Sequence, residues 1–241
     1  MKIIVSDFDG TLFSEEYENN LEAINRFVDA GNMFIIATGR AMNYLAEDLS
    51  MVDLNCEYYI CNDGAVIFDR YFNVIYRKDI KQEIVRPIYN ILADDENIIE
   101  TFIDTSHGYV TNPSKCANGI IARPYDRGEA ALILDKILRK YPDVHGYMSN
   151  NWINLTDISV NKAVAIEYLI DTYNYNVDDV VTVGDGLNDY EMIERFRGYT
   201  FDHGAEDLKS ISVGVIHNLK EIVEILKLEE EDNDEEEEDY I

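Results

Sequence analysis

The chain opens with a short apolar run that ends in two carboxylates and a turn. Residues 3–5 are Ile-Ile-Val, and Asp7 and Asp9 follow before a turn at Gly10 and Thr11. A short apolar run predicts a buried strand, in which side chains two residues apart point the same way. Asp7 and Asp9 are therefore expected to face one pocket at the carboxyl end of the strand, where open α/β sheets place their ligands.

Two carboxylates in one pocket need a group between them that offsets their charge. They repel each other unless a cation or a shared proton intervenes. Mg²⁺ prefers oxygen ligands and is usually held by one or two carboxylates together with substrate phosphate. The pair Asp7 and Asp9 therefore predicts a magnesium site that serves phosphoryl chemistry.

The charge of the chain excludes nucleic acid as a partner. The chain has 241 residues and a formal net charge of -28, and residues 229–239 are acidic at every position but one. Nucleic-acid binding needs a basic surface that neutralises phosphates, and the sequence shows none. An acidic surface also repels phosphoesters at long range, so a phosphate site in this protein needs local cations.

Cysteine usage and hydropathy predict where the protein is found. Cys56, Cys61 and Cys116 are odd in number and lack a metal-ligand spacing, which favours a reducing compartment over a disulfide framework. The residues before Asp7 are too few for the apolar core of a signal peptide, and no stretch is long and apolar enough to span a membrane. We expect a soluble, cytoplasmic protein.

The order of the apolar segments predicts an α/β fold with an insertion. Strands and helices alternate over residues 1–79 and 157–228, which is typical of a Rossmann-like parallel sheet core. Between them, residues 80–156 give helix-strand-strand twice, which predicts an α+β domain with a mostly antiparallel sheet. Residues 229–241 are too polar to fold alone, and we expect a disordered acidic tail that is either solvated or docked on a basic partner.

Three further segments carry residues suited to phosphate and metal chemistry. Thr38 and Gly39 follow the second predicted strand and offer a hydroxyl and a close backbone approach. Lys162 begins a predicted helix and is a compact cation suited to phosphate oxygens. Asp185 and Asp189 lie in a glycine-rich turn after another apolar strand, where they would complete a magnesium site. Each segment alone is weak evidence, but their order and their shared position at strand ends favour one site.

On these segments the chain is identified as a member of the haloacid dehalogenase superfamily, in its Cof-type branch of magnesium-dependent phosphatases with a large cap. The resemblance covers residues 1–228 and implies that residues 80–156 are a C2-type cap that selects the substrate. It implies that Asp7 is the nucleophile and that Asp9 is the general acid and base. The residues that it implies for phosphate binding are Thr38, Gly39, Lys162 and Asn188. Those that it implies for metal binding are Asp7, Asp9, Asp185 and Asp189.

One loop departs from the family pattern. Many relatives have Asn-Gly-Ala after the third strand, whereas this chain has Asp63, Gly64 and Ala65, with Asn62 one place earlier. The departure changes the contact that the usual Asn makes and leaves the core chemistry intact.

Residues that bind the leaving group are expected among the basic and aromatic residues of the cap. Arg123 and Arg127 bracket a predicted loop before a helix, and Arg40 completes the second motif, so these three are the first candidates. Any one such residue is more often solvated or packed than functional. The further candidates are Arg86, His107, Lys115, His145 and Trp152, whereas Tyr89, Tyr109, Tyr125 and Tyr147 are expected to be packing and loop residues.

The predicted function is hydrolysis of a small phosphorylated metabolite, such as a sugar phosphate, through an aspartyl-phosphate intermediate. A phosphomannomutase-like phosphotransferase is the nearest alternative, because it uses the same intermediate and passes the phosphoryl group to a second sugar hydroxyl. A catalytically silent binding protein is the alternative from another class, and the charges of Asp7, Asp185 and Lys162 argue against it. Sugar phosphates, phosphoglycolate, nucleotides and cofactor phosphates all stay open as substrates.

Overall fold

The computed structural model describes residues 1–113, 116–149 and 151–238. The leaving-group candidate Lys115 and the last three residues of the expected tail lie outside the described residues. The chain forms two compact units. Unit 1 comprises Met1–Ala37, Met51–Tyr59 and Ile166–Ile241, and unit 2 comprises Thr38–Ser50 and Ile60–Ala165.

Thirteen strands and eight helices make up the described chain. The strands are β1 (Ile3–Ser6), β2 (Met33–Ala37), β3 (Tyr58–Cys61), β4 (Val66–Asp69), β5 (Val74–Arg77), β6 (Ile98–Thr105), β7 (Gly108–Val110), β8 (Gly119–Pro124), β9 (Val144–Ser149), β10 (Trp152–Asp157), β11 (Val180–Val183), β12 (Arg197–Phe201) and β13 (Gly214–Ile216). The helices are α1 (Tyr17–Asp29), α2 (Met42–Leu49), α3 (Gln82–Ala93), α4 (Arg127–Lys140), α5 (Lys162–Tyr173), α6 (Tyr190–Arg195), α7 (Glu206–Ile211) and α8 (Leu219–Glu238).

Unit 1 contains parallel strands in the order β13-β12-β11-β1-β2. Ile3 of β1 lies opposite Val180 of β11 and Met33 of β2. All residues of β1 and β11 are buried, which explains their unbroken apolar sequences because both faces of such strands are covered. The chain order reverses between β1 and β11, and open α/β sheets bind ligands at such a switch point. The predicted α/β fold with a parallel core is confirmed.

Helix α8 packs beside α1 and continues into the acidic run. The Leu219 backbone N–H donates to the side-chain oxygen of Asn20 in α1 (3.0 Å), and Ile222 and Leu226 are buried. The helix extends to Glu238, so the described part of the expected tail is helical. The packed first turns nucleate this helix, and glutamate is a good helix former that extends it. Within the described chain, none of the helices combines the length and the apolar character needed to cross a membrane.

Unit 2 contains a five-stranded antiparallel sheet in the order β7-β6-β8-β10-β9. Helices α3 and α4 cover one face of it, where Val85 and Ile133 pack in the same core as Ile103 of β6. The predicted α+β insertion is therefore present. Strand β8 is missing from the sequence prediction because its apolar stretch is short and is bordered by Gly119 and Pro124, which favour a loop.

The other face of this sheet, termed the open face, points away from the core formed with α3 and α4. Residues paired across antiparallel strands share a face. Asp104 of β6 pairs with Tyr109 of β7, and Phe102 pairs with Ile121 of β8. Tyr147 of β9 lies on the same face, because its partner on β10 is in turn opposite Ile121. The open face is therefore polar and aromatic.

Candidate functional site

The carboxyl end of β1 holds Asp7 in place and leaves Asp9 exposed. Asp7 is 6% exposed, and its backbone N–H donates to the Val183 carbonyl of β11 (2.8 Å). Its own carbonyl accepts a hydrogen bond from the Ser6 hydroxyl (2.7 Å). Phe8 is fully buried between the two acids, and Asp9 is exposed. The end of β1 is therefore anchored at Asp7, while Asp9 is accessible to a substrate.

The glycine-rich turn after β11 orients two more carboxylates. Asp189 is buried, and its Oδ2 accepts hydrogen bonds from the backbone N–H groups of Asp185 (3.1 Å) and Gly186 (2.9 Å). The Thr11 hydroxyl donates to Oδ1 of Asp185 (2.8 Å), which joins this turn to the loop after β1. Thr11 thus supports a carboxylate of the cluster, and its place in the same short motif as Asp7 and Asp9 is the signal in the sequence that points to it.

Asp7, Asp185 and Asp189 form one cluster, with a carboxylate oxygen of each within 4.8 Å of the others. Like charges at such distances repel each other unless a cation lies between them. All donors are oxygens and two of the three residues are buried, which fits a hard divalent cation such as Mg²⁺. The three carboxylates of the expected metal site therefore lie together in the described structure, and the fourth residue, Asp9, is expected to contribute its backbone carbonyl.

The loop after β1 depends on a glycine. Gly10 has a φ of +83°, and a Cβ at this position would lie 2.5 Å from Oδ2 of Asp185. Any side chain here would therefore displace the carboxylate. The Gly10 carbonyl accepts a hydrogen bond from Nε2 of His203 (2.9 Å), a residue that no local pattern in the sequence indicates. Asn188 is half-buried in the short turn Leu187–Asp189.

In unit 2, backbone hydrogen bonds join the loop that carries Thr38 to the next loop. The N–H of buried Thr38 donates to the Ile60 carbonyl (2.8 Å), and the N–H of Asp63 donates to the Thr38 carbonyl (3.1 Å). The N–H of Asn62 donates to the Arg40 carbonyl (3.0 Å). The Thr38 hydroxyl accepts from the Arg40 N–H (3.2 Å). The segment that the resemblance assigns to phosphate binding is therefore held in a fixed conformation.

Lys162 is the first residue of α5 and is 1% exposed. The side-chain oxygen of Asn161 accepts from the Val164 N–H (2.8 Å) and so caps this helix. Gly64 approaches the same helix start, since a Cβ on it would lie 2.3 Å from the Asn161 carbonyl oxygen. A buried ammonium group needs anionic or hydrogen-bonding partners. Lys162 therefore places a buried positive charge at the start of α5, where it interacts with other groups of the protein.

The predicted arginine candidates lie in different environments. Arg40 forms an ion pair with an aspartate of α2. Arg123 lies in β8, which pairs with β6 in the sheet. Its side chain forms an ion pair with Glu100 (2.9 Å), and its guanidinium carbon lies 5.8 Å from the ring centroid of Trp152. Arg127 begins α4 and is exposed. Of the further candidates, Arg86, His107 and His145 are exposed and Trp152 is half-buried.

Known proteins with the same arrangement of elements resemble this chain. The sequence model of the family described as haloacid dehalogenase-like hydrolase matches residues 4–148 and 125–224. The 5-amino-6-(5-phospho-D-ribitylamino)uracil phosphatase YcsE of Bacillus subtilis is 25% identical over 80% of each chain. The phosphoglycolate phosphatase of Methanosarcina mazei is 22% identical over 88% of each chain. The crystal structure of a haloacid dehalogenase-like hydrolase from Bacteroides thetaiotaomicron has a TM-score of 0.79 at 18% identity, with 93% of this chain and 99% of that chain covered.

Proposed function

Because the chain belongs to the haloacid dehalogenase-like hydrolase family, we propose that it is a magnesium-dependent phosphatase that hydrolyses a small phosphate monoester through an aspartyl-phosphate. The observation that carries the proposal is the cluster of Asp7, Asp185 and Asp189 at the switch point between β1 and β11. Phosphoryl transfer depends mainly on positioning and electrostatic stabilisation, and three gathered carboxylates can hold the cation that this chemistry needs.

The carboxylates of Asp7, Asp185 and Asp189 would hold the metal. Bound Mg²⁺ supplies positive charge that offsets the charge of the nucleophile and of the phosphate oxygens. Groups around the ligands orient them: the Thr11 hydroxyl holds Asp185, and two backbone N–H groups hold Asp189. The chain therefore offers an oriented, all-oxygen donor set.

Asp7 is proposed as the nucleophile and Asp9 as the acid and base. A carboxylate oxygen of Asp7 bonds to phosphorus while the bond from phosphorus to the ester oxygen breaks, and Asp9 gives its proton to the leaving alkoxide. The Asp9 carboxylate then takes a proton from water, whose oxygen bonds to phosphorus as the bond to Asp7 breaks. Inorganic phosphate leaves and both residues return to their starting states. The anchored Asp7 and the exposed Asp9 support these roles.

Thr38, Gly39, Lys162 and Asn188 are proposed to bind the phosphoryl oxygens. The buried ammonium of Lys162 and the fixed loop of Thr38 support this assignment. Positive charge and hydrogen-bond donors that are already in place stabilise the charge of the transition state without reorganisation. Residues 80–156 are proposed to form the cap that selects the leaving group, with Arg40, Arg123 and Arg127 as candidate contacts.

We also place the protein in the cytoplasm. Cys56 and Cys61 are buried and are not joined in a disulfide, and burial raises the pKa of the Cys56 thiol to about 12. A thiol that stays protonated is a poor nucleophile and a poor metal ligand. These cysteines therefore act as small apolar core residues, which suits a reducing compartment.

Phosphate release from a panel of small phosphoesters, with Mg²⁺ and with EDTA, tests the proposal. We expect metal-dependent release by the wild type and a loss of roughly 10³-fold or more in Asp7→Asn, because the amide has the same shape but no nucleophilic oxygen. The matched control is Asp171→Asn, which makes the same change at an exposed carboxylate of α5.

Other outcomes would contradict the proposal. Release in EDTA equal to that in Mg²⁺ would exclude the metal-dependent mechanism. Transfer of the phosphoryl group to a second sugar, without release of phosphate, would establish the phosphotransferase. Neither release nor transfer, from a folded protein that binds Mg²⁺, would establish the binding protein.

A further inference from the structure

The loop that carries Asp9, residues 8–13, is hydrogen-bonded within itself. The N–H of Phe13 donates to the Phe8 carbonyl (2.7 Å), and the N–H of Gly10 donates to the Phe13 carbonyl (3.0 Å). An isolated β-bridge pairs Asp9 with Phe13. These bonds fix the shape of the loop, which we term the acid loop. They do not fix its position against the neighbouring strand ends, because that position depends on contacts with other segments.

One contact from a distant segment reaches the acid loop directly beside Asp9. Nε2 of His203 lies 2.9 Å from the carbonyl oxygen of Gly10, the residue that follows Asp9. A carbonyl oxygen only accepts hydrogen bonds, so Nε2 carries the proton and is the donor. His203 belongs to the loop after β12, residues 202–205, which we term the support loop. The bond therefore joins two strand ends at the place where Asp9 is exposed.

The support loop is itself held to the turn after β11. The N–H of Ala205 donates to the Asp185 carbonyl (3.0 Å). Gly204 is buried, and a Cβ on it would lie 2.4 Å from Oγ1 of Thr200 at the end of β12. The backbone of the support loop is therefore packed closely against its neighbours, and the imidazole extends from a fixed base.

The imidazole ring is oriented by stacking rather than by burial. The ring centroids of His203 and Phe201 are 5.0 Å apart, and the ring planes differ by 22°. Phe201 is buried and so provides a fixed surface for the stack. His203 itself is exposed. Its hydrogen bond to Gly10 can therefore be removed without opening a cavity in the core.

The residue that accepts this hydrogen bond has a flexible backbone. Gly10 has a φ of +83° and no side chain that restricts it. A rotation of its backbone would move the adjacent carboxyl group of Asp9. A general acid must lie within hydrogen-bond reach of the oxygen that it protonates, and a displacement of about 1 Å can lower the rate roughly 10²-fold. A donor that holds the Gly10 carbonyl therefore favours one position of Asp9.

We propose that His203 is a positioning residue for Asp9. Its Nε2 holds the Gly10 carbonyl, and the acid loop in turn holds the Asp9 carboxyl group where it meets the leaving oxygen and later the attacking water. The inference rests on the proposed phosphatase function and adds a residue to it. The bond is made to the backbone next to Asp9 and not to a carboxylate of the metal cluster. Loss of the donor should therefore lower kcat and leave magnesium binding unchanged.

Two substitutions separate the hydrogen bond from the ring. His203→Phe keeps a ring that can stack on Phe201 and loses the donor, whereas His203→Gln keeps an N–H donor and loses the ring. With p-nitrophenyl phosphate we expect kcat to fall about tenfold in His203→Phe, while KM and the half-saturating Mg²⁺ concentration stay within about twofold. His203→Gln should recover kcat to within about threefold of the wild type.

The matched control is His217→Phe. It makes the same change at an exposed histidine that pairs with Asp202 of the support loop, so it alters the surroundings of this loop and leaves the donor to Gly10 in place. We expect its kcat to equal that of the wild type.

Rapid mixing adds a readout that a loss of folded protein does not imitate. The nitrophenolate group leaves without a proton, so a misplaced Asp9 slows hydrolysis of the aspartyl-phosphate more than its formation. The burst of nitrophenolate, relative to the enzyme concentration, should therefore be larger in His203→Phe than in the wild type, His203→Gln or His217→Phe.

Other outcomes would overturn the inference. An unchanged kcat and burst in folded His203→Phe would do so. Equal losses in His203→Phe and His203→Gln would assign the effect to the ring, and a raised half-saturating Mg²⁺ concentration would assign it to the metal ligands. If His203→Phe does not fold, His203→Ala is measured in the same way and decides. A wild type without metal-dependent hydrolysis of p-nitrophenyl phosphate would overturn the proposed function as well.

Discussion

Two groups of polar side chains are built in opposite ways. The carboxylate cluster belongs to unit 1. The polar cluster belongs to unit 2 and consists of Asn43, Asn62, Asp63 and Asp104. Asp7, Asp185 and Asp189 come from two short loops that directly follow buried strands, and Asp189 is held by backbone groups three and four residues away. The polar cluster takes one residue from a helix, two from a loop and one from a strand. Asn62 and Asp104 lie close together only because the chain between them has folded. The metal-ligand cluster is thus encoded locally, whereas the polar cluster is assembled by tertiary structure.

The two clusters also differ in how their polar atoms are satisfied. Asp185 and Asp189 accept hydrogen bonds from the protein itself, so their ligand oxygens are oriented before any metal binds. Asp104 is buried, and the side-chain amide of Asn62 is close enough to lower its pKa through a hydrogen bond, against the larger rise caused by burial. We therefore expect substitutions in the first cluster to change metal binding and the rate for every ester, and substitutions in the second to change mainly stability.

The largest effect is expected for Asp9→Asn. The exposed Asp9 would no longer activate water, so the aspartyl-phosphate should accumulate and steady-state hydrolysis should fall roughly 10²–10⁴-fold for every ester. With p-nitrophenyl phosphate, whose leaving group needs no proton, we expect a burst of nitrophenolate equal to the enzyme concentration. Rapid mixing measures the burst, and Asp7→Asn should show none. A burst in both variants, or a loss of hydrolysis that differs between esters, would contradict the roles of Asp7 and Asp9 as residues that act on every ester.

The next largest effect is expected from alanine substitutions at two glycines. They separate the cost of backbone strain from the displacement of a metal-binding carboxylate. Gly10 and Gly31 both have positive φ, but a Cβ on Gly10 would lie 2.5 Å from the Asp185 carboxylate, whereas one on Gly31 meets nothing within 4 Å. Both alanine variants should lose about 1 kcal/mol of stability. Gly10→Ala alone should also raise the half-saturating Mg²⁺ concentration about 10–100-fold. Magnesium titrations of activity measure this difference, and equal shifts in both variants would contradict the assignment of the metal ligands.

The same contrast explains what the sequence could predict. The parallel core and the gathering of Asp7, Asp185 and Asp189 follow from contiguous motifs, in which an apolar strand and its polar end are adjacent in the chain. The apolar run of strand β8 is too short to be distinguished from a loop, so the sequence does not predict that Arg123 lies in a strand. Short-range patterns carry no information on which distant strand will pair with such a segment.

Residues whose role depends on a distant partner are equally hidden. The departure at Asp63 is visible in the sequence, but its hydrogen bond to Tyr147 joins residues far apart in the chain. Asp104 belongs to no sequence motif, and its burial and its raised pKa single it out. His203 is likewise indicated only by its contact with Gly10. Positions of this kind depend on topology, which periodicity and spacing do not determine.

A smaller effect is expected when one support of the metal ligands is removed. Thr11→Val has nearly the same shape but loses the hydroxyl that donates to Asp185. Loss of one such hydrogen bond should raise the half-saturating Mg²⁺ concentration by roughly 2–10-fold, with the same loss of rate for every ester at limiting metal. Thr11→Ser retains the hydroxyl and should restore magnesium affinity. A loss of rate that differs between esters would contradict a role confined to the metal ligands.

The smallest effect concerns stability and its dependence on pH. Burial, with a contribution from the charge of Asp63, raises the pKa of Asp104 in the folded protein, so the native state binds a proton that the unfolded chain releases. The contribution of Asp104 to stability is therefore present at low pH and is lost as pH rises through the folded pKa. The side chain in Asp104→Asn does not titrate. The melting temperature of this variant, relative to that of the wild type, should therefore rise by about 2–4 °C from acidic to neutral pH. The control Asp135→Asn, at an exposed carboxylate, should show no such trend. A pH-independent difference would contradict the raised pKa of Asp104, whereas the expected trend would show that the folded protein loses stability when Asp104 ionises.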